Sequence, residues 1–214
     1  MTMNDHPVVL LGMGGHARVL LDVMCGLRMN VIGFVDHSPK DNVLNGIHYL
    51  GNDEEFLSNF SPEKTCLVNG LGGVADTNAR KEIFERYKSH GYNFISVIHP
   101  SAIIAQDVVL GEGCQLMAGV IIQPGVECGN NVLINTRACV DHDCVIGAHS
   151  HISIGSVLSG AIVVGEGAHL GAGCAIIQNV NIGANSTVGA GSVVVNAVAA
   201  GQTVVGVPAR RLIK

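Results

Sequence analysis

A period of six restricts this chain more than any other feature. Starting at Ile98 and stepping six residues at a time gives seventeen positions ending at Val194; sixteen are aliphatic and the other is Cys128. The position four further on is always small or β-branched, from Ala102 and Val108 through Cys114, Ser150 and Ser156 to Val198. Glycine commonly follows the aliphatic residue, as at Gly111, Gly129, Gly147, Gly165 and Gly171. Six matches neither the 3.6 of a helix nor the plain alternation of a strand. It fits short strands with a turn at every sixth residue, stacked as a parallel β-helix. Such an interior is too narrow for rings, and all eight aromatic residues lie before position 95. Composition therefore sets a domain boundary near residue 96, dividing the chain into 1–96 and 97–214.

The first segment reads as an α/β unit. Val8 to Leu11 is a short buried strand, GMGGHARVLLDVM turns into a helix, and Val31 to Asp36 is a second strand ending in an acid. Asn52 caps a helix starting at Asp53, Thr65 to Val68 is a third strand, Asp76 to Gly91 a further helix, and Phe94 to Ile98 a fourth strand. This is half of a doubly wound, Rossmann-like sheet. Gly12-Met13-Gly14-Gly15-His16-Ala17 satisfies GxGxxG/A after a strand, and Asp36 follows at the distance of a ribose-binding acid. Tight glycine turns let backbone N–H groups and a helix dipole approach a diphosphate. A dinucleotide such as NAD normally uses both halves of the fold, so one half favours a single nucleotide diphosphate, and a nucleotide sugar in particular. A purely structural strand-to-helix turn is the remaining alternative.

Charge and composition exclude several classes. A net charge of -5 and a pI near 6.0 offer nothing for nucleic acid. With 14% charged residues and a mean hydropathy of +0.39, the chain is not disordered, yet no apolar run approaches the roughly 18 residues of a membrane span. The N-terminus lacks the basic region of a signal peptide, so a soluble, cytoplasmic protein is expected. Seven cysteines, odd in number and without a CxxC, read as reduced packing residues.

Polar residues within the repeat cluster at Asn135 to Asp143 and His149 to His151. His142 falls two positions after the inward Val140, toward a corner or outer surface, and the residue one coil above it is Gly160. A missing side chain there leaves a notch beside the ring, and the neighbouring Asp141 and Asp143 can orient it and stabilise its imidazolium. The bland alternative is a solvated histidine on a prism face. His151 lies half a coil further on, on a different side, so the two histidines share a site only if one comes from a neighbouring subunit. His169 stacks one coil above His151. Parallel prism positions do not converge on tetrahedral geometry, so no metal is expected. Cys144 points inward and Cys139 lies just before the inward Val140, which argues against a covalent cysteine mechanism.

The repeat resembles that of the hexapeptide-repeat acyltransferases, which implies triangular coils of three hexads, a left-handed β-helix and a homotrimer. Over essentially its whole length the chain resembles one branch of that family, the NeuD-like sialic acid O-acetyltransferases and the N-acetyltransferases of nucleotide-linked 4-amino sugars of the bacillosamine and perosamine type. GMGGHARVL, HPSA at residues 99–102, INTRACVDHDCVIGAHSHIS and VVGVPAR carry the resemblance. It implies that His142 is the general base, that Asp143 raises its basicity, and that His151 and Gly160 meet the acetyl end of acetyl-CoA. Asp141 is the rival acid. Backbone around Ala172 and Ala190 would line the pantetheine arm. Gly14, Gly15, His16, Asp36 and the turn from Gly70 to Gly73 would hold the nucleotide sugar.

The expected reaction is acetyl-CoA-dependent N-acetylation of a nucleotide-linked 4-amino-4,6-dideoxy sugar for surface polysaccharide or glycan biosynthesis, lipopolysaccharide included. Asn135 or a backbone N–H could serve the oxyanion. O-acetylation of a sialic acid or related hydroxyl is one alternative, and a non-catalytic β-helix scaffold is another. UDP, GDP and dTDP are not distinguished as carriers.

Overall fold

The computed structural model describes residues 6–39, 47–73 and 77–213. The chain divides into two compact units, one from Met1–Gly72 with Glu82–Val97 and the other from Gly73–Lys81 with Ile98–Lys214. Residues 73–81, read from sequence as part of the first segment, thus group with the second.

In the first unit, β1 (Val8–Leu11), β2 (Val31–Val35), β3 (His48–Tyr49), β4 (Cys66–Asn69) and β5 (Asn93–Phe94) form one sheet in the order β3-β2-β1-β4-β5. All four pairings are parallel. β1 and β4 are buried at every position, as the apolar run of β1 and the first three residues of β4 should be in the middle of a parallel sheet, and β4 ends on the buried polar Asn69. α1 (Gly15–Gly26) buries Ala17, Leu20, Leu21, Val23 and Met24, a spacing that puts them on one helical face. α2 (Asp53–Asn59) begins with a capping box: Asn52 accepts from the N–H groups of Glu54 and Glu55, and Glu55 accepts from the Asn52 N–H. α3 (Asn78–Ser89) carries Arg86 and Lys88 in its last turn, where cations suit the helix dipole. Tyr87 donates to Asp53 at 2.7 Å, and its ring meets Phe56 and Tyr92. Two expectations change. The fourth strand ends at Phe94, whereas Val97–Ile98 joins the coil, and the two-residue β3 was not foreseen. Asp76 lies outside the described residues.

The second unit is a coil with three sheet faces. Cys139 pairs with Val157 and Val157 with Ala175, so one turn takes 18 residues. Cys139–Val140 and Val157–Leu158 belong to a six-stranded face, Val145–Ile146 and Val163–Val164 to a five-stranded face, and His151–Ile152 and His169–Leu170 to an eight-stranded face. From Leu116 onward every sixth residue is buried in one aliphatic core. Fully burying each such side chain contributes about 1.5–3 kcal/mol. The second inward set closes the corners: Ser150 Oγ donates to Gly165 O, Ser156 Oγ to Gly171 O, and Cys144 Sγ to Ser159 O. Each bond spans 15 residues and satisfies a carbonyl of the coil above.

The turns have a period of their own. Every sixth residue from Gly113 to Gly191 has a positive φ, between +54° and +75°. Ten of these fourteen are glycine or asparagine, which adopt that region most readily. The other four are Arg137, Asp143, His149 and Ala161.

Candidate active site

The strand Cys139–Val140 runs into a corner at Asp141-His142-Asp143. Its two acids do different work. Asp141 Oδ1 accepts the backbone N–H of His142 at 2.8 Å and so shapes the turn, while Asp143 Oδ2 accepts from the ring Nδ1 at 2.7 Å. Asp143 reaches back because its own backbone is left-handed, at φ +58°. Its hydrogen bond raises the His142 pKa above the usual imidazole value; partial desolvation opposes the rise, and the charges of Asp141 and Asp143 add to it. With Nδ1–H donated to Asp143, Nε2 carries the lone pair of the neutral ring. Gly160 lies against that nitrogen. A Cβ on Gly160 would stand 2.5 Å from both Cε1 and Nε2 of His142.

His151 lies on the eight-stranded face, a different side from the strand leading to His142. It is buried rather than solvated. Nδ1 donates to the Gly73 carbonyl at 3.1 Å, which fixes the tautomer and leaves Nε2 as the acceptor facing Asn135 Nδ2 at 3.4 Å. Asn135 is held in this sense because its Oδ1 accepts the Thr136 N–H at 2.8 Å. His169 pairs in register with His151, their rings edge to face with centroids 4.9 Å apart. Ala172 and Ala190 are exposed, 18 residues apart, and flanked by Gly173 and Gly191, beside which a Cβ would meet nothing within 4 Å.

In the first unit, the turn after β1 presents Gly14 and Gly15 exposed, again with nothing within 4 Å of an added Cβ. Gly14 caps α1 and supplies no side-chain oxygen to its first turn, which contains no acidic residue. A twelve-residue helix beginning this way suits an approaching anion. Half-buried His16 stands in the same turn. Asp36, expected from sequence to meet a ribose, stands against the glycine turn. Its Oδ2 accepts the Met13 N–H at 2.9 Å and its Oδ1 pairs with His37 Nδ1 at 2.6 Å, so it braces the glycine turn. Gly70 is buried for a packing reason, since a Cβ there would lie 2.6 Å from the Leu11 carbonyl oxygen.

Sequence reasoning missed the attachments of residues 73–81. Thr77 donates to Gly167 O at 3.0 Å, Lys81 pairs with Glu166 at 2.5 Å, and Asn131 Nδ2 donates to Arg80 O at 3.3 Å. Arg80 is fully buried, and burial pulls its pKa down to about 9. No local pattern announces such contacts. The cysteines are free thiols, and burial pushes Cys144 upward and Cys128 up to about 12, away from thiolate chemistry. Among the described residues no helix is long and apolar enough to cross a membrane.

Residues 7–87 match the family described as the PglD N-terminal domain. The UDP-N-acetylbacillosamine N-acetyltransferase of Bacillus subtilis (strain 168) is 36% identical over 116 residues, 52% of this chain and 51% of that protein, so the match spans about half of that relative. Among solved structures, the acetyltransferase domain of PglB from Neisseria gonorrhoeae FA1090 is 32% identical with a TM-score of 0.89, over 97% of this chain and 100% of that one. It has also been solved in complex with acetyl coenzyme A. A mutant of GDP-perosamine N-acetyl transferase from Caulobacter crescentus, in complex with CoA and GDP-perosamine, is 36% identical with a TM-score of 0.89, over 98% of each chain. The fold is accordingly an α/β half-domain followed by a left-handed parallel β-helix.

Proposed function

Since this chain belongs to the hexapeptide-repeat acetyltransferases of the bacillosamine and perosamine type, we propose that it moves the acetyl group of acetyl-CoA onto the amine of a nucleotide-linked 4-amino-4,6-dideoxy sugar, with His142 as general base. The observation that carries this reading is the His142–Asp143 pair, with Nε2 lying over Gly160, which has no side chain to displace the ring. A sugar amine attacking a thioester must lose a proton as the C–N bond forms, and neutral His142 takes it at Nε2. Asp143, bound to Nδ1, stabilises the resulting imidazolium. The C–S bond then breaks, and the CoA thiolate leaves with the proton that His142 returns. Asn135 Nδ2 and backbone N–H groups are the donors available to the transient oxyanion. The thioester is already activated, so no acyl-enzyme is needed.

In this reading residues 1–96 bind the nucleotide sugar through Gly14, Gly15, His16 and the brace at Asp36, and residues 97–214 carry out the transfer. His151 and Gly160 meet the acetyl end, with Ala172 and Ala190 along the pantetheine arm. The active assembly is a homotrimer with clefts between subunits, working in the cytoplasm in glycan or surface-polysaccharide synthesis. The six-stranded face supports the trimer. Its outward positions Ile103, Ile121, Cys139, Val157, Ala175 and Val193 form an apolar ladder, with Ile103 65% and Val157 48% exposed in one chain. His142 stands just beyond the edge of that face.

The test is release of CoA thiol on incubation with acetyl-CoA and UDP-, GDP- or dTDP-linked 4-amino-4,6-dideoxy sugars, followed by mass spectrometry of the product. One of them should acquire a single acetyl group as an amide. An ester product would move the reaction to a hydroxyl acceptor, and no thiol release with any amino sugar would overturn the reading.

A further inference from the structure

Arg137 is the anomaly of its corner. The equivalent positions one, two and three coils above it are Gly155, Gly173 and Gly191, and the position one coil below is Gly119, all with positive φ. Arg137 takes the same left-handed conformation at φ +58° with a long charged side chain, where the rest of the column has none. Its stem lies toward the coil below, since a Cβ on Gly119 would come 3.3 Å from Arg137 Cγ. The residue is exposed, and among the described residues its guanidinium makes no hydrogen bond or ion pair. The coil thus carries a left-handed backbone under an arginine whose guanidinium holds nothing among the described residues. The same turn begins at Asn135, whose Nδ2 faces His151 Nε2.

We propose that Arg137 is a substrate-binding residue whose guanidinium holds the diphosphate of the nucleotide amino sugar. This rests on the reading above, in which Asn135 and His151 lie at the thioester. The phosphates of CoA are separated from that thioester by the whole pantetheine arm. The diphosphate of the sugar nucleotide is only a pyranose ring away from the attacking amine. A planar fork of N–H donors is the side chain that grips a phosphate in two places at once.

The experiment is steady-state kinetics and thermal melting of Arg137→Gly and Arg137→Lys, varying the nucleotide amino sugar and acetyl-CoA separately. Arg137→Gly restores the residue that the column otherwise uses, so its Tm should stay level or rise. Its KM for the nucleotide amino sugar should rise roughly 10- to 100-fold, the effect of losing a charge-assisted hydrogen bond, with the KM for acetyl-CoA little changed. Arg137→Lys should recover part of the loss. Unchanged constants for Arg137→Gly would overturn the assignment. So would a rise confined to acetyl-CoA that disappears with acetyl-dephospho-CoA, which would give the contact to the CoA phosphate instead. A wild-type protein without transfer activity would count against the acetyltransferase reading itself and not against the arginine.

Discussion

Of the two ring nitrogens of His142, Nδ1 is committed to Asp143 at 2.7 Å and Nε2 lies over Gly160, so the two can be tested separately. Asp143 raises the His142 pKa, and the base acts only when deprotonated. Activity should therefore climb with pH through that raised value. In Asp143→Asn the stabilising charge is lost, so the acid limb of the kcat/KM profile should move to lower pH while the plateau falls with the loss of the fixed tautomer. A limb that stays where it was would detach Asp143 from the base. Gly160 is tested by steric filling. Its φ lies outside the left-handed region, so Gly160→Val brings no backbone strain, yet its first carbon would stand 2.5 Å from Nε2. The variant should keep its Tm and assembly and lose acetyl transfer, and retained turnover would locate the reacting nitrogen elsewhere.

Among the elements, what could be read in advance was whatever the chain repeats. Each strand of the coil carries its own inward aliphatic residue, so the period revealed the core from Leu116 to Val194 and the neighbour relations of His142 with Gly160 and of His151 with His169. What depends on a single distant contact was not legible. The sequence placed two acids beside His142 without saying which binds the ring; the left-handed turn at residue 143 brings Asp143 back to Nδ1 and leaves Asp141 to the backbone. The burial of His151 was not legible, because nothing local announces that the Gly73 carbonyl comes to meet it. Asp36 has the spacing of a ribose ligand, and that spacing does not announce the bond that its Oδ2 also accepts from the Met13 N–H. The four left-handed corners that are neither glycine nor asparagine became visible only once the turns were seen to be equivalent.

At the scale of the whole molecule, one chain joins an α/β unit, whose glycine turn is open at the start of its first helix, to a coil that carries a paired histidine on an exposed corner. The coil also exposes an apolar ladder on its six-stranded face, and it carries His151 on a different face. In the proposed function, acetyl transfer runs through His142. Its most direct test is the turnover of purified His142→Ala beside the wild type, with acetyl-CoA and the accepted nucleotide amino sugar, in samples whose assembly mass is measured by light scattering. Both proteins should show the mass of the proposed trimer, and the turnover of the variant should be roughly 10²–10⁴-fold lower. A variant of the same mass that turns over within a few-fold of the wild type would contradict the proposed function.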